Sequence, residues 1–252
     1  MRSRPLQFRS RLAIALLTIG LTPAVVAAEP IADRLGPLFV TLVHRDETYG
    51  APVKPLSRWT KPVRVGAAGR RFEEWRPHFE TWLPILARET GHDIAQATDL
   101  SANVLVLFAE GFVADSQRVP LYRQLLQNVS ASPLFQRMAA QADADRAPCW
   151  SMTFREGDAI HSALAMISET APPTAQRACF YGWLLSMTGM GLWMNGVGAG
   201  LEVLVDISPN GSAILTETGV RLLRMIYDPR LQVGMSVDET LPLLPALLRG
   251  RP

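Results

Sequence analysis

Lysine is nearly missing from this chain: only Lys54 and Lys61 occur in 252 residues. Cysteine is limited to Cys149 and Cys179, and none of the four histidines (His44, His78, His92, His161) falls three or four positions from another. Each shortage excludes something. Without a C-x-x-C or a histidine pair on one helical face, no local zinc or thiol-redox motif can be drawn. No G-x-S-x-G nucleophile elbow occurs. The glycines at 196, 198 and 200 follow a helical pattern rather than a strand, so they do not make a dinucleotide fingerprint. No cofactor and no catalytic or metal residue is assigned from the sequence.

Charge is missing altogether between Arg177 and Glu202. The uncharged stretch 178–201 is long enough to span a bilayer, and its small residues at 196–200 suit packed membrane helices. Six glycines (182, 189, 191, 196, 198, 200) argue against a span, since each weakens a helix in water by about 1 kcal/mol relative to alanine. A buried helix over 179–188, ended by Gly189 in the left-handed conformation and followed by a glycine-rich loop, is the favoured reading.

The chain opens with Arg2, Arg4, Arg9 and Arg11, an apolar run over 12–21 and small residues over 24–28. That is the order of a secretory signal peptide, with cleavage expected before Glu29 and a mature domain over 29–252. Four of the 25 basic residues lie in this leader, so the mature balance is 21 basic against 23 acidic, or −2. Near-neutrality gives no reason to expect a nucleic-acid partner. The expected location is periplasmic or secreted, where an isolated cysteine pair reads as a structural disulfide between Cys149 and Cys179.

Along the chain, residues 31–55 look irregular, with 38–43 either a short strand or a packing helix. A strand is predicted over 58–65, at an edge because of Pro62, then a loop over 66–69. Phe72, Trp75, Phe79, Trp82 and Leu86 form the stripe of an amphipathic helix. Pro77 and Pro84 should kink it, and Gly91 should end it. The apolar run 103–108 reads as a central strand. Helices follow over 121–129 and 133–144, the second capped by Ser132, and a strand pair over 149–155 and 159–167. A strand over 202–207, a helix from Thr216 to about Tyr227 and a last short helix from Ser236 complete the pattern. Helices and strands mix without strict alternation, which favours one α+β domain, a mixed sheet packed with helices.

Several of these stretches resemble the bacterial secreted family known as domain of unknown function 2927. The segment 58–65 resembles its opening strand, 102–106 its central strand, and Cys149 and Cys179 its two cysteines. The most specific match is 222–231, which carries Arg224, Tyr227, Asp228, Pro229 and Arg230, with Gly234-Met235 after it. The resemblance covers most of 58–248. In that family the cysteine matching Cys179 precedes His-Glu-Glu-x-x-Gln-x-x-Gly, a spacing analogous to the H-E-x-x-H-x-x-G helix of zinc peptidases. By that analogy the fold could be zincin-like. Here Tyr181, Gly182, Trp183 and Ser186 occupy the polar positions, and only Gly189 stays in register. The family's downstream His-Asp positions hold Thr218 and Gly219.

Other candidates are weaker. His92-Asp93 could be a base with its orienting carboxylate, but a solvated turn is the simpler reading, and His161 belongs to a strand. Arg58, Arg64, Arg70 and Arg71 could form a local basic face. Trp193 and Met194, on the glycine-rich loop, could touch a partner, a protein or envelope component, or a membrane surface. The sequence therefore favours a secreted, non-catalytic scaffold or binding protein. A hydrolase whose residues come from separate loops is the alternative.

Overall fold

The computed structural model describes residues 31–44, 53–97, 102–118, 120, 126, 132–191 and 200–249. The leader, nearly all of the helix expected over 121–129, and Trp193 and Met194 lie outside the described residues. The frame is a five-stranded sheet of β1 (Val63–Ala68), β2 (Ile94–Gln96), β3 (Val104–Ala109), β4 (Cys149–Glu156) and β5 (Ala159–Ser168), in the order β2-β1-β3-β5-β4. The first four strands in that order are parallel, and β4 closes the edge antiparallel to β5. Strands buried on both faces read as continuous apolar runs, which is why 103–108 announces itself as central.

Period-two alternation sorts the strand residues between two cores. Val104, Val106, Phe108, Ala165 and Ile167 face the larger one, and Leu107, Leu164 and Met166 the smaller. The larger core is covered by α1 (Ile31–His44), α2 (Phe72–Thr90), α5 (Pro173–Ser186), α7 (Glu217–Ile226) and α9 (Leu244–Leu248). On the opposite face, α4 (Pro133–Ala144) and α3 (Phe112–Arg118) bring Phe135, Ala139 and Phe112 against Trp150 of β4. The molecule is thus an α+β domain with helices on both faces of a mixed sheet.

Several local expectations are corrected. Residues 31–44, expected to be irregular, form α1, and of the two alternatives for 38–43 the packing helix holds: Leu35, Phe39, Leu42 and Val43 recur at helical spacing and are buried. Helix α2 runs unbroken through Pro77 and Pro84 because both rings lie on its exposed side, where water can solvate the carbonyls they leave free. The loop expected over 66–69 is largely strand: Gly66 pairs with Leu105, and a Cβ there would lie 2.8 Å from that of Ala102. The regular strand starts only at Val63; before it, Trp59 makes one isolated parallel bridge to Ile160. Residues 201–204 form a helical turn, α6 (Leu201–Leu204), before β6 (Val205–Ile207) pairs with β7 (Ala213–Leu215). Ser132 precedes α4 without a capping bond from its side chain.

Other signals hold. Gly91 ends α2 in the left-handed region at φ 67°. Thr216 accepts the Gly219 N–H at the start of α7. Ser236 and Glu239 complete a capping box at α8 (Val237–Thr240). Cys149 and Cys179 are disulfide-bonded across 6.0 Å between Cα atoms, tying the edge strand to the buried helix α5. Among the described residues no helix is long and apolar enough to cross a membrane.

Candidate functional site

Helix α5 carries the positions where the resemblance would place chemistry. The antiparallel pair β4 and β5, strand β6 and helix α2 pack around it, so Ala178, Cys179, Phe180, Tyr181, Gly182, Trp183, Leu184 and Leu185 are all buried. Phe180 packs against Trp75 and Phe79 with ring centroids 4.9 Å from each, and Tyr181 against Trp82 at 4.8 Å. Trp183 is 1% exposed and belongs to the larger core, while Ser186 is half-buried. The two positions that the family fills with carboxylates therefore hold a residue without a side chain and an indole in the core.

Buried side chains of this helix make polar contacts: Gln176 donates to the carbonyls of Ser168, Glu169 and Ala171, and Tyr181 meets His78. His78 Nδ1 lies 2.7 Å from the Tyr181 hydroxyl, which donates to the Gly211 carbonyl at 3.3 Å. Burial, assisted by the Arg177 charge, holds the His78 imidazolium below its ordinary range. Burial likewise pushes the Tyr181 phenol up to about 12, against the pull of Arg177. Both groups are thus kept neutral at pH 7.

Gly189 stays in register for a steric reason. Its φ is 104°, and a Cβ would collide with the Ser57 carbonyl oxygen. Next to it, Trp59 Nε1 donates 2.6 Å to the Met187 carbonyl at the end of α5. Gly219, in the downstream pair where the resemblance places His-Asp, is likewise closed by the Leu204 carbonyl.

The specific family stretch after α7 has its own partners. Arg58 donates to the carbonyls of Ile226 (2.8 Å), Asp228 (3.2 Å) and Leu231 (2.7 Å), and its guanidinium sits 5.7 Å from the Tyr227 ring centroid. Burial lowers the Arg58 pKa, and the charges of Tyr227 and Asp228 oppose this. Asp228, nearly enclosed, accepts from Arg230 Nε and Nη2 at 2.8 and 2.9 Å and from the Arg230 backbone N–H at 3.0 Å. Leu56 and residues 234–235 exchange two backbone hydrogen bonds alongside. Pro229 follows Asp228 where α7 must stop. The motif is a clasp between the segment before β1 and the end of α7.

The remaining candidates do not converge. Asp93 is paired with Arg64, and His92 Nε2 contacts the Lys61 carbonyl, so these neighbours do not act as a dyad. His161 is exposed, and buried His44 contacts the Lys54 carbonyl. The expected basic face is neutralised: Arg70 pairs with Glu110 and Arg71 with Glu74, while Arg58 points inward. Among the described residues, no three His, Cys, Asp or Glu side chains cluster as metal ligands.

Two clefts accompany these elements. One, of about 570 Å³, opens at the C-terminal ends of β3 and β5, where parallel sheets commonly bind ligands. Several of its polar groups are already engaged: Asp143 accepts the N–H groups of Phe112 and Val113, and Ser168 meets Thr170. The other, of about 490 Å³, lies between α1, the end of α2, α7 and α9. Sequence reading missed Arg88, Glu89, Arg221 and Arg249 there, because they come from three separate segments. Only the Arg221 and Arg224 spacing on one helix hinted at it.

Comparison with curated proteins and with solved structures returns no match. The model of one family does match, over residues 33–246, and it spans the central strands, both cysteines, helix α5 and the clasp. The chain belongs to that family, described as "Protein of unknown function (DUF2927)".

Proposed function

We propose that the mature protein is a secreted, periplasmic binding or scaffold protein that performs no catalysis and keeps a zincin-like shell without its ligands. The observation that carries this reading is the burial of Gly182 and Trp183 at the family's carboxylate positions. A zinc hydrolase needs several protein ligands, an open coordination position and a carboxylate to take a proton from water. Glycine offers no atom, the indole is a donor only and is enclosed, and serine is a poor zinc ligand. Gly189 is accounted for by its close approach to Ser57 rather than by chemistry.

The location rests on the leader-like order of residues 1–28 and on the disulfide, which fits an oxidising compartment. N-terminal sequencing of exported protein should find Glu29 first. A mature chain starting at Met1 would reject it. For the catalytic half of the reading, purified protein supplied with zinc should hydrolyse neither peptide nor ester substrates. Turnover that chelation abolishes would overturn it.

A second reading, a hydrolase with a dispersed site, is favoured by the His78–Tyr181 contact, which joins a half-buried imidazole of α2 to a buried phenol of α5. It requires turnover that is lost in His78→Ala while the protein stays folded.

A further inference from the structure

The cleft between α1, α2, α7 and α9 is the place where this fold holds cations ready for a ligand. Its centre is Glu89, whose side chain is only 4% exposed. One carboxylate oxygen accepts from Arg88 at 2.8 and 2.7 Å, and the other from Arg224 at 2.9 and 2.8 Å. Each guanidinium therefore gives Glu89 its Nε and one terminal nitrogen. The outer N–H groups of both remain available, on side chains 70% and 61% exposed. A buried acid that fixes two arginine planes side-on presents their free edges in a set geometry, the arrangement that suits bidentate recognition of carboxylate or phosphate.

The charge balance at the cleft is positive. Among the described lining residues, Arg88, Arg221, Arg224 and Arg249 stand against the acids Glu89 and Asp228, and Arg221 also pairs with Glu217 at 2.7 Å. Asp228 at the cleft wall is engaged by Arg230. Arg249 has no partner among the described residues. The rest of the lining is apolar: Leu35, Met225 and Leu247 are nearly enclosed, and Leu248 is half-buried. The volume, about 490 Å³, is within the range of small-molecule sites. A purely inorganic anion would leave the open side of Leu248 wet, and a neutral lipid would leave the guanidiniums without an acceptor.

We infer that this cleft binds a small amphipathic anion, a carboxylate or phosphate monoester carrying a short apolar chain. The head group lies on the edges of Arg88, Arg224 and Arg249, and the chain covers the open side of Leu248. The inference takes its setting from the binding-protein reading but does not depend on the lack of catalysis.

Calorimetric titration of the mature, disulfide-intact protein at low salt tests it with four probes: octanoate, octyl phosphate, inorganic phosphate and octanol. One or both octyl anions should bind one to one. The better of them should bind about tenfold or more tighter than inorganic phosphate or octanol, and weaken as salt is added. Arg249→Ala should weaken it about tenfold, as expected for one lost charge-assisted bond, and Arg221→Ala/Arg249→Ala should weaken it further. Neither variant should shift the melting temperature appreciably, since Arg249 makes no hydrogen bond or ion pair among the described residues and the Arg221 pair is exposed. Absence of binding by both octyl anions, equal binding of octanol or inorganic phosphate, or an affinity unchanged in the double variant would overturn the inference. Chelator-sensitive hydrolysis together with octyl-anion binding would sink the non-catalytic reading and leave the cleft standing. No hydrolysis and no binding would do the reverse.

Discussion

Replacing Arg58 with alanine should be among the most damaging single changes outside the apolar core. The guanidinium donates to three carbonyls past the end of α7, at 2.8, 3.2 and 2.7 Å. Hydrogen bonds to a charged group contribute about 1.5–3 kcal/mol each when measured singly. Three on one side chain are not additive, and the site is half-buried, so water can reach some of the exposed carbonyls. The expected loss is therefore about 3–5 kcal/mol, at or below the bottom of the summed range of about 4.5–9 kcal/mol. That is a large fraction of the roughly 5–15 kcal/mol that a domain has in total. Urea unfolding with the disulfide intact should show the midpoint falling with little change in slope. Arg58→Lys is the informative companion: it keeps the charge but cannot reach three carbonyls with a planar fork, so it should recover less than half of the loss. A loss below about 1 kcal/mol for Arg58→Ala, or a lysine variant equal to wild type, would show that the clasp does not hold α7.

Gly189→Ala should cost roughly 2–5 kcal/mol, from a positive φ together with the collision at Ser57. Gly91→Ala, at φ 67° with nothing near the new methyl, should cost only about 1–2 kcal/mol; equal melting temperatures for the two would remove the steric argument. Replacing both Cys149 and Cys179 with alanine opens a closed loop with sequence separation 30 and should lose roughly 3–4 kcal/mol in denaturant titration. Free thiols in exported wild-type protein would contradict the bond itself. The imidazoles of His44 and His78 are both held below the ordinary 6.5, chiefly by burial. The unfolded chain therefore binds more protons than the folded one just below pH 6.5, so stability should fall as pH drops through that window. His78→Asn should flatten the slope of unfolding free energy against pH; an unchanged slope would assign the effect elsewhere.

Features set within a few residues were legible in the sequence. The Thr216 cap, the Ser236–Glu239 box and the Gly91 stop each depend on groups no more than four positions apart. The central strand and the hairpin were legible because each is an apolar run or a turn in its own right. The failures share a cause, which is that the deciding partner lies far away in the chain. Gly66 reads as a loop residue until β3 is placed beside it. Pro77 and Pro84 read as breaks until one knows which side of α2 faces water. Residues 94–96 are too few to show any period, and they become a strand only through pairing with Val63, Arg64 and Val65. For the candidate site the same rule holds more strongly. The lost polar positions on α5 were visible as letters, whereas the arginine cleft exists only once four helices meet.

The clasp also orders assembly in time. Leu56 bonds with Gly234 and Met235, and Arg58 with carbonyls as far as Leu231. The smaller core draws all its buried residues from between Ala68 and Met166. A chain delivered N-terminus first can therefore complete that face of the sheet while its last third is still absent. The opposite face must wait: α1, the strand entrance and α5 stay wet until α7 and the residues after it arrive. The C-terminal stretch acts as a closing stitch, and a chain cut short of it would expose one open apolar face while its other face was already packed.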